Sequence, residues 1–178
     1  MREPERLFLA SDANASGLLE TAWKATRKPT RGGVANLICI AEPLDVLAQE
    51  LSRVADRVTV VLPWGSLLRA VAAPEIASLR QIANLCLPCA SLEIVFSYDP
   101  QRDLREGARL GLSLLNDEHI TSKLPRLYEE AGLSVASVEE IPLRELAKYE
   151  TTWAKRLATG RCRDVWRIQA RSSHIAQI

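Results

Sequence analysis

The chain has 178 residues, 47% of them apolar and 25% charged, and a net charge of +1. That describes a single soluble globular domain, residues 1–178, long enough to bury a real core. No apolar run approaches the roughly 18–20 residues of a membrane span, and the charged opening Met1-Arg-Glu-Pro-Glu-Arg6 leads into a strand, not a signal peptide, so a cytoplasmic protein without a membrane partner is expected.

In chain order, Leu7-Phe-Leu-Ala10 reads as a short buried strand that ends at Ser11-Asp12-Ala13-Asn14. A helix is predicted over residues 15–27, with Leu18, Leu19, Ala22 and Trp23 at helical spacing. Asp12 is an acid at the carboxyl end of a strand. In Rossmann-like folds such an acid binds a ribose hydroxyl, but Asp is equally a favoured helix cap, and the residues alone leave both roles open. Lys28-Pro-Thr-Arg-Gly-Gly33 is a basic linker. Asn36-Leu-Ile-Cys-Ile-Ala41 is the next buried strand, closed by Glu42-Pro43, and a short helix over residues 45–53 follows.

Val58-Thr-Val-Val-Leu62 has the unbroken β-branched composition of a strand buried on both faces of a parallel sheet. Pro63 stops the ladder, Trp64 sets a large flat ring at the strand's carboxyl end, and Gly65 permits a sharp turn. Ligands of open α/β sheets bind just outside those carboxyl ends. Trp64 is therefore either a plug for the core or a stacking surface.

After Ser66-Leu67-Leu68, a helix is predicted from Pro74, as a first-turn proline, to Cys86. Residues 91–97 form a strand, and residues 99–122 read as polar and irregular around an apolar island at 110–115. A helix over residues 124–131 should stop at Gly132. A strand over 134–141, a helix over 143–158 and a last strand over 165–170 complete the chain. Strands alternating with helices give an α/β domain with a mostly parallel sheet.

The near-neutral average conceals two basic segments. Lys24, Arg27, Lys28 and Arg31 have no acid among them, and Lys155, Arg156, Arg161, Arg163, Arg167 and Arg171 face only Asp164. These segments suit a polyanion docking on one side, or equally a pair of solvated helix faces. Cys86-Leu-Pro-Cys89 lacks the further ligands of a zinc site, since His119 and His174 are isolated, and it ends a helix where a redox pair would begin one. Small apolar filler is the better reading, and no metal is expected.

Leu62-Pro-Trp-Gly-Ser-Leu-Leu68 and Trp153-Ala-Lys-Arg-Leu-Ala-Thr-Gly-Arg161, followed by Arg163, together resemble the 16S ribosomal RNA (adenine(1408)-N1)-methyltransferases of aminoglycoside resistance. Arg27-Lys-Pro-Thr-Arg-Gly-Gly33 and Ala41-Glu42 match as well, and the likeness runs from Glu5 onward. It implies a Rossmann-like class I fold using S-adenosylmethionine, with 16S rRNA of the small ribosomal subunit, not DNA, as partner. Trp64 and Trp153 would sandwich the flipped target adenine. Asp12 would hold the cofactor ribose, Ala41 and Glu42 would border its adenine, and Ser66 and Leu67 would line its methionine side. Lys24, Lys28, Arg31, Arg156, Arg161 and Arg163 would contact RNA.

The likeness begins at the family's second strand. No acidic, Gly-rich turn of the kind that approaches a cofactor is present, so the expected fold is N-terminally truncated and lacks its first, central strand. Residues 7–10 and 58–62 should then lack their shared neighbour. A catalytically inactive homologue that at most binds RNA is the alternative. A nicotinamide-binding Rossmann protein finds no support, because G-x-G-x-x-G is also absent.

Overall fold

The computed structural model describes residues 5–99, 101–112, 115–149, 151–159 and 163–173, and the chain divides into two compact units, Met1–Glu50 and Leu51–Ile178. In the first unit, β1 (Phe8–Ser11) pairs in parallel with β2 (Leu37–Ile40). Helix α1 (Ala15–Ala25) connects them through a 3₁₀ turn at Pro29–Arg31, and α2 (Leu44–Glu50) follows. Asn14 caps α1, its side chain accepting from the Ser16 amide at 3.0 Å.

The second unit is built on a four-stranded sheet in the order β3-β4-β6-β5. Its strands are β3 (Ala55–Val61), β4 (Cys86–Ser97), β5 (Leu133–Glu140) and β6 (Val165–Ser172). β3 and β4 run parallel, while β6 runs antiparallel to both β4 and β5. The architecture is thus mixed α/β, and among the described residues parallel ladders are as many as antiparallel ones rather than predominant. Among the described residues, β1 and β3, the strands expected to lack a neighbour, each have one ladder partner.

The helices of this unit are α3 (Gly65–Ala72), α4 (Ile76–Leu85), α5 (Leu104–Leu110), α6 (Leu124–Glu130) and α7 (Thr152–Ala158). Leu68 and Val71 of α3, Leu79 and Ile82 of α4, and Leu124 and Tyr128 of α6 are fully buried. Period-two alternation puts Leu92, Ile94 and Phe96 on one face of β4. Val95 points to the other and joins a cluster with Leu62, Ile141, Leu146, Ala154, Leu157 and Val165.

Several local expectations change. Residues 66–72, left without an assignment, are helix α3. Pro74 lies before the Glu75 cap of α4 and so separates two helices instead of opening one. The helix expected over 143–158 is broken into a 3₁₀ segment, Leu143–Tyr149, and α7, because Thr151 caps a new start: its Oγ1 accepts from the Ala154 amide at 3.0 Å. The irregular stretch contains α5, in which a side chain at Gly107 would collide with the Tyr98 hydroxyl. Gly132, at φ +86°, ends the α6 segment as expected.

Cys86 is buried and its Sγ lies 3.5 Å from the Ile82 carbonyl; burial pushes its thiol up to about 11. That keeps it protonated and unreactive at neutral pH, the behaviour of apolar filler.

Candidate functional site

In the second unit the chain leaves β3 through a strained corner. Leu62 has φ +48°, a conformation L side chains seldom adopt, and Gly65 has φ +62°. Leu62 is held there because its amide donates to the Val95 carbonyl at 2.7 Å while its side chain enters the core cluster. Between the two turns Pro63 is buried and Trp64 is turned outward, 48% exposed. Trp64 is therefore not a core plug.

Trp64 also occupies the cap position of α3 in extended conformation, without giving the helix a side-chain cap. The first-turn residues Ser66 and Leu67 follow directly. A helix start lacking a side-chain cap is favourable ground for a carboxylate, since its amides point outward and the dipole is positive there. The far end of α3 is fastened. The Tyr128 hydroxyl donates to the Val71 carbonyl at 2.9 Å, and His119 Nε2 stands 3.0 Å from the Ala72 carbonyl, a contact that requires the proton on Nε2. Burial pushes the Tyr128 hydroxyl strongly upward, so it remains a donor.

Trp153 lies in the first turn of α7 and is 43% exposed. Its neighbour Ala154 and the following Leu157 belong to the same core cluster as Leu62. Trp64 and Trp153 thus stand one or two residues from one hydrophobic cluster, which fixes the backbones that carry them. Lys155 and Arg156 continue α7 and are exposed.

The arginines divide by environment. Arg163 forms a mostly covered ion pair with Asp103, whose Oδ2 also accepts from the Asp99 amide at 3.0 Å. Arg167 pairs with Glu139 at 2.9 Å and Glu145 at 3.2 Å. Arg161 lies outside the described residues. Arg109, which the sequence reading did not single out, places Nη2 3.8 Å from where a side chain at Gly65 would begin, and pairs with Glu106 at 2.6 Å. Its signal was hidden because Gly107 disguised α5 as a loop. A polar groove lined by Arg57, Thr59, Glu93, Gln169 and Arg171 includes neither tryptophan.

Within the first unit, Asp12, Ala41 and Glu42 are exposed at the carboxyl ends of β1 and β2. The Ser11 hydroxyl donates to the Glu42 carbonyl at 3.2 Å, which ties the two strand ends together. Asp12 Oδ1 accepts from the Asn14 amide at 2.8 Å, but Asn14 is the residue that caps α1. Asp12 therefore braces the turn and presents an exposed carboxylate, which suits a ribose hydroxyl. Its other oxygen stands 3.1 Å from where a side chain at Gly17 would begin. Lys24, Lys28 and Arg31 are all exposed.

Residues 1–172 match the NpmA family, described as 16S rRNA (adenine(1408)-N(1))-methyltransferase. The protein of that name from Streptoalloteichus tenebrarius is 33% identical over 162 residues, covering 91% of this chain and 74% of its own length. Among solved structures, a tryptophan-to-alanine mutant of the 16S rRNA (adenine(1408)-N(1))-methyltransferase from Catenulisporales acidiphilia, with its cosubstrate SAM, superposes with a TM-score of 0.82. It is 30% identical, over 98% of this chain and 79% of that one. The aminoglycoside resistance methyltransferase NpmB1 is 40% identical with a TM-score of 0.73, over 92% of this chain and 74% of that one.

Proposed function

The chain belongs to the 16S rRNA (adenine(1408)-N(1))-methyltransferase family, and we propose that it methylates N1 of a decoding-site adenine in assembled small ribosomal subunits, giving aminoglycoside resistance. The observation that carries this reading is the outward-facing Trp64 on the strained corner after β3, sharing a supporting cluster with the α7 segment of Trp153.

The chemistry asks for little beyond placement. N1 is engaged in pairing or hidden by stacking, so the base must be extruded and held between flat apolar surfaces. Trp64 and Trp153 are the residues for that, each stacking contact contributing about 1–3 kcal/mol. S-adenosylmethionine, when bound, supplies an activated methyl group. N1 already carries an in-plane lone pair, so no side chain needs to remove a proton and no general base is assigned. The protein contributes proximity and orientation.

Cofactor binding falls to Asp12 for the ribose, Ala41 and Glu42 for the adenine, and Ser66 and Leu67 at the start of α3 for the methionine portion. Lys24, Lys28, Arg31, Arg156, Arg161 and Arg163 bind RNA. Phosphate contacts of this kind set affinity and register, while the folded shape of the subunit selects the target. Arg163 reaches a phosphate only by leaving Asp103. Arg109, beside Gly65, adds a cation next to the clamp. The cytoplasm is the expected compartment, and no helix among the described residues is long and apolar enough to cross a membrane.

The test is incubation of the chain with unmodified bacterial small subunits and methyl-labelled S-adenosylmethionine, followed by reverse transcription across the decoding site. Label with a stop at one adenine is expected. Subunit binding without label would favour the inactive, RNA-binding homologue.

A further inference from the structure

Helix α1 turns an apolar side chain away from the sheet it packs on. Leu18, Thr21, Ala22 and Ala25 are its half-covered positions, whereas Trp23 is 61% exposed. One face of the indole is occupied, because the Arg27 guanidinium sits 4.1 Å from the ring centroid.

The following linker keeps Arg27 in that position. Its backbone folds back so closely that a side chain at Gly33 would collide with the Arg27 carbonyl. The Arg31 and Gly33 amides both donate to the Lys28 carbonyl, at 2.8 and 3.1 Å, and the Val34 amide donates to the Ala25 carbonyl at 3.0 Å. The linker is therefore a closed turn. Lys24 pairs with Glu20 at 2.5 Å, while Arg27 lies over the indole and the exposed Lys28 and Arg31 follow it in a linker with no acid between Glu20 and Glu42.

We propose that Trp23 is an RNA contact additional to the Trp64 and Trp153 clamp: its open face packs on a base or ribose while Arg27 and the linker cations Lys28 and Arg31 take the flanking phosphates. Charge selects the occupant. An apolar protein segment laid on this ring would meet Arg27 over it and the linker cations Lys28 and Arg31 beside it in sequence with no acid of its own to offer, whereas RNA offers a flat face and phosphates together. Arg27 over the ring holds the indole flat and adds charge to the same contact. This inference rests on the proposed function, since it presumes an rRNA substrate.

The experiment compares the full chain with Trp23→Ala and Trp23→Phe for affinity to unmodified small subunits, S-adenosylmethionine affinity, methyl-transfer rate at saturating subunits, and melting temperature. Trp23→Ala should weaken subunit binding about fivefold or more, the effect of losing one stacking contact, and raise KM with kcat unchanged. Trp23→Phe should restore most of the affinity. Cofactor affinity and melting temperature should not move. Unchanged subunit binding in Trp23→Ala overturns the proposal, and so does a fall in melting temperature with loss of cofactor binding, which would assign Trp23 to packing. If the unsubstituted chain itself fails to bind subunits, the proposed function is what fails.

Discussion

The two units of the chain differ most in what they bury. Among the described residues of Met1–Glu50, only Ala48 is buried, while Leu7, Leu9, Leu19, Trp23 and Ile38 remain exposed around a two-stranded sheet. Among the described residues, Leu51–Ile178 holds the other buried side chains, on four strands, five helices and the segments between them. A two-stranded sheet is marginal by itself in water and relies on the helix packed against it. The proposed base clamp is therefore set on a consolidated scaffold, and Asp12, proposed to hold the cofactor ribose, on a thin one. Rigidity is placed where a flat base must be held in register.

Core substitutions should expose that difference most strongly. Leu79→Ala, at a fully buried position in α4, is expected to cost about 2–5 kcal/mol. Ile38→Ala, at a half-exposed position in β2, should cost less than about 1 kcal/mol. Chemical denaturation combined with amide exchange resolved by segment checks both, and equal costs would erase the distinction between the units.

A smaller change sharpens it within the second unit. Thr151→Ala removes the α7 cap, worth about 1 kcal/mol, and should loosen the turn that carries Trp153. Amide exchange should rise in α7 alone, and methyl transfer should fall by about two- to fivefold. Cofactor affinity should stay unchanged, because no proposed cofactor residue lies on α7.

The strands were legible in the sequence because apolar β-branched runs have few alternatives, and β1, β2, β3 and β6 fall within a few residues of their expected places. The misses have physical causes. Gly107 made α5 look like a loop, although the glycine is there because the Tyr98 hydroxyl occupies the space of a side chain. One long apolar helix was expected where Thr151 starts a second one, since capping is a local hydrogen bond that apolar spacing cannot reveal. Trp23 had helical spacing but faces solvent. Trp64 and Trp153 were singled out from their motifs, and the structure leaves both exposed. Charge alone could not separate exposed Arg156 from Arg163, whose partner Asp103 is distant in sequence.

The central claim is that Trp64 serves the base and not the cofactor. Methyl transfer to small subunits and S-adenosylmethionine affinity, measured side by side for the full chain and Trp64→Ala, test it most directly. The account predicts that methylation is abolished or nearly so while cofactor affinity stays almost intact. A Trp64→Ala chain that still methylates at the original rate, or one that loses the cofactor together with activity, would contradict it.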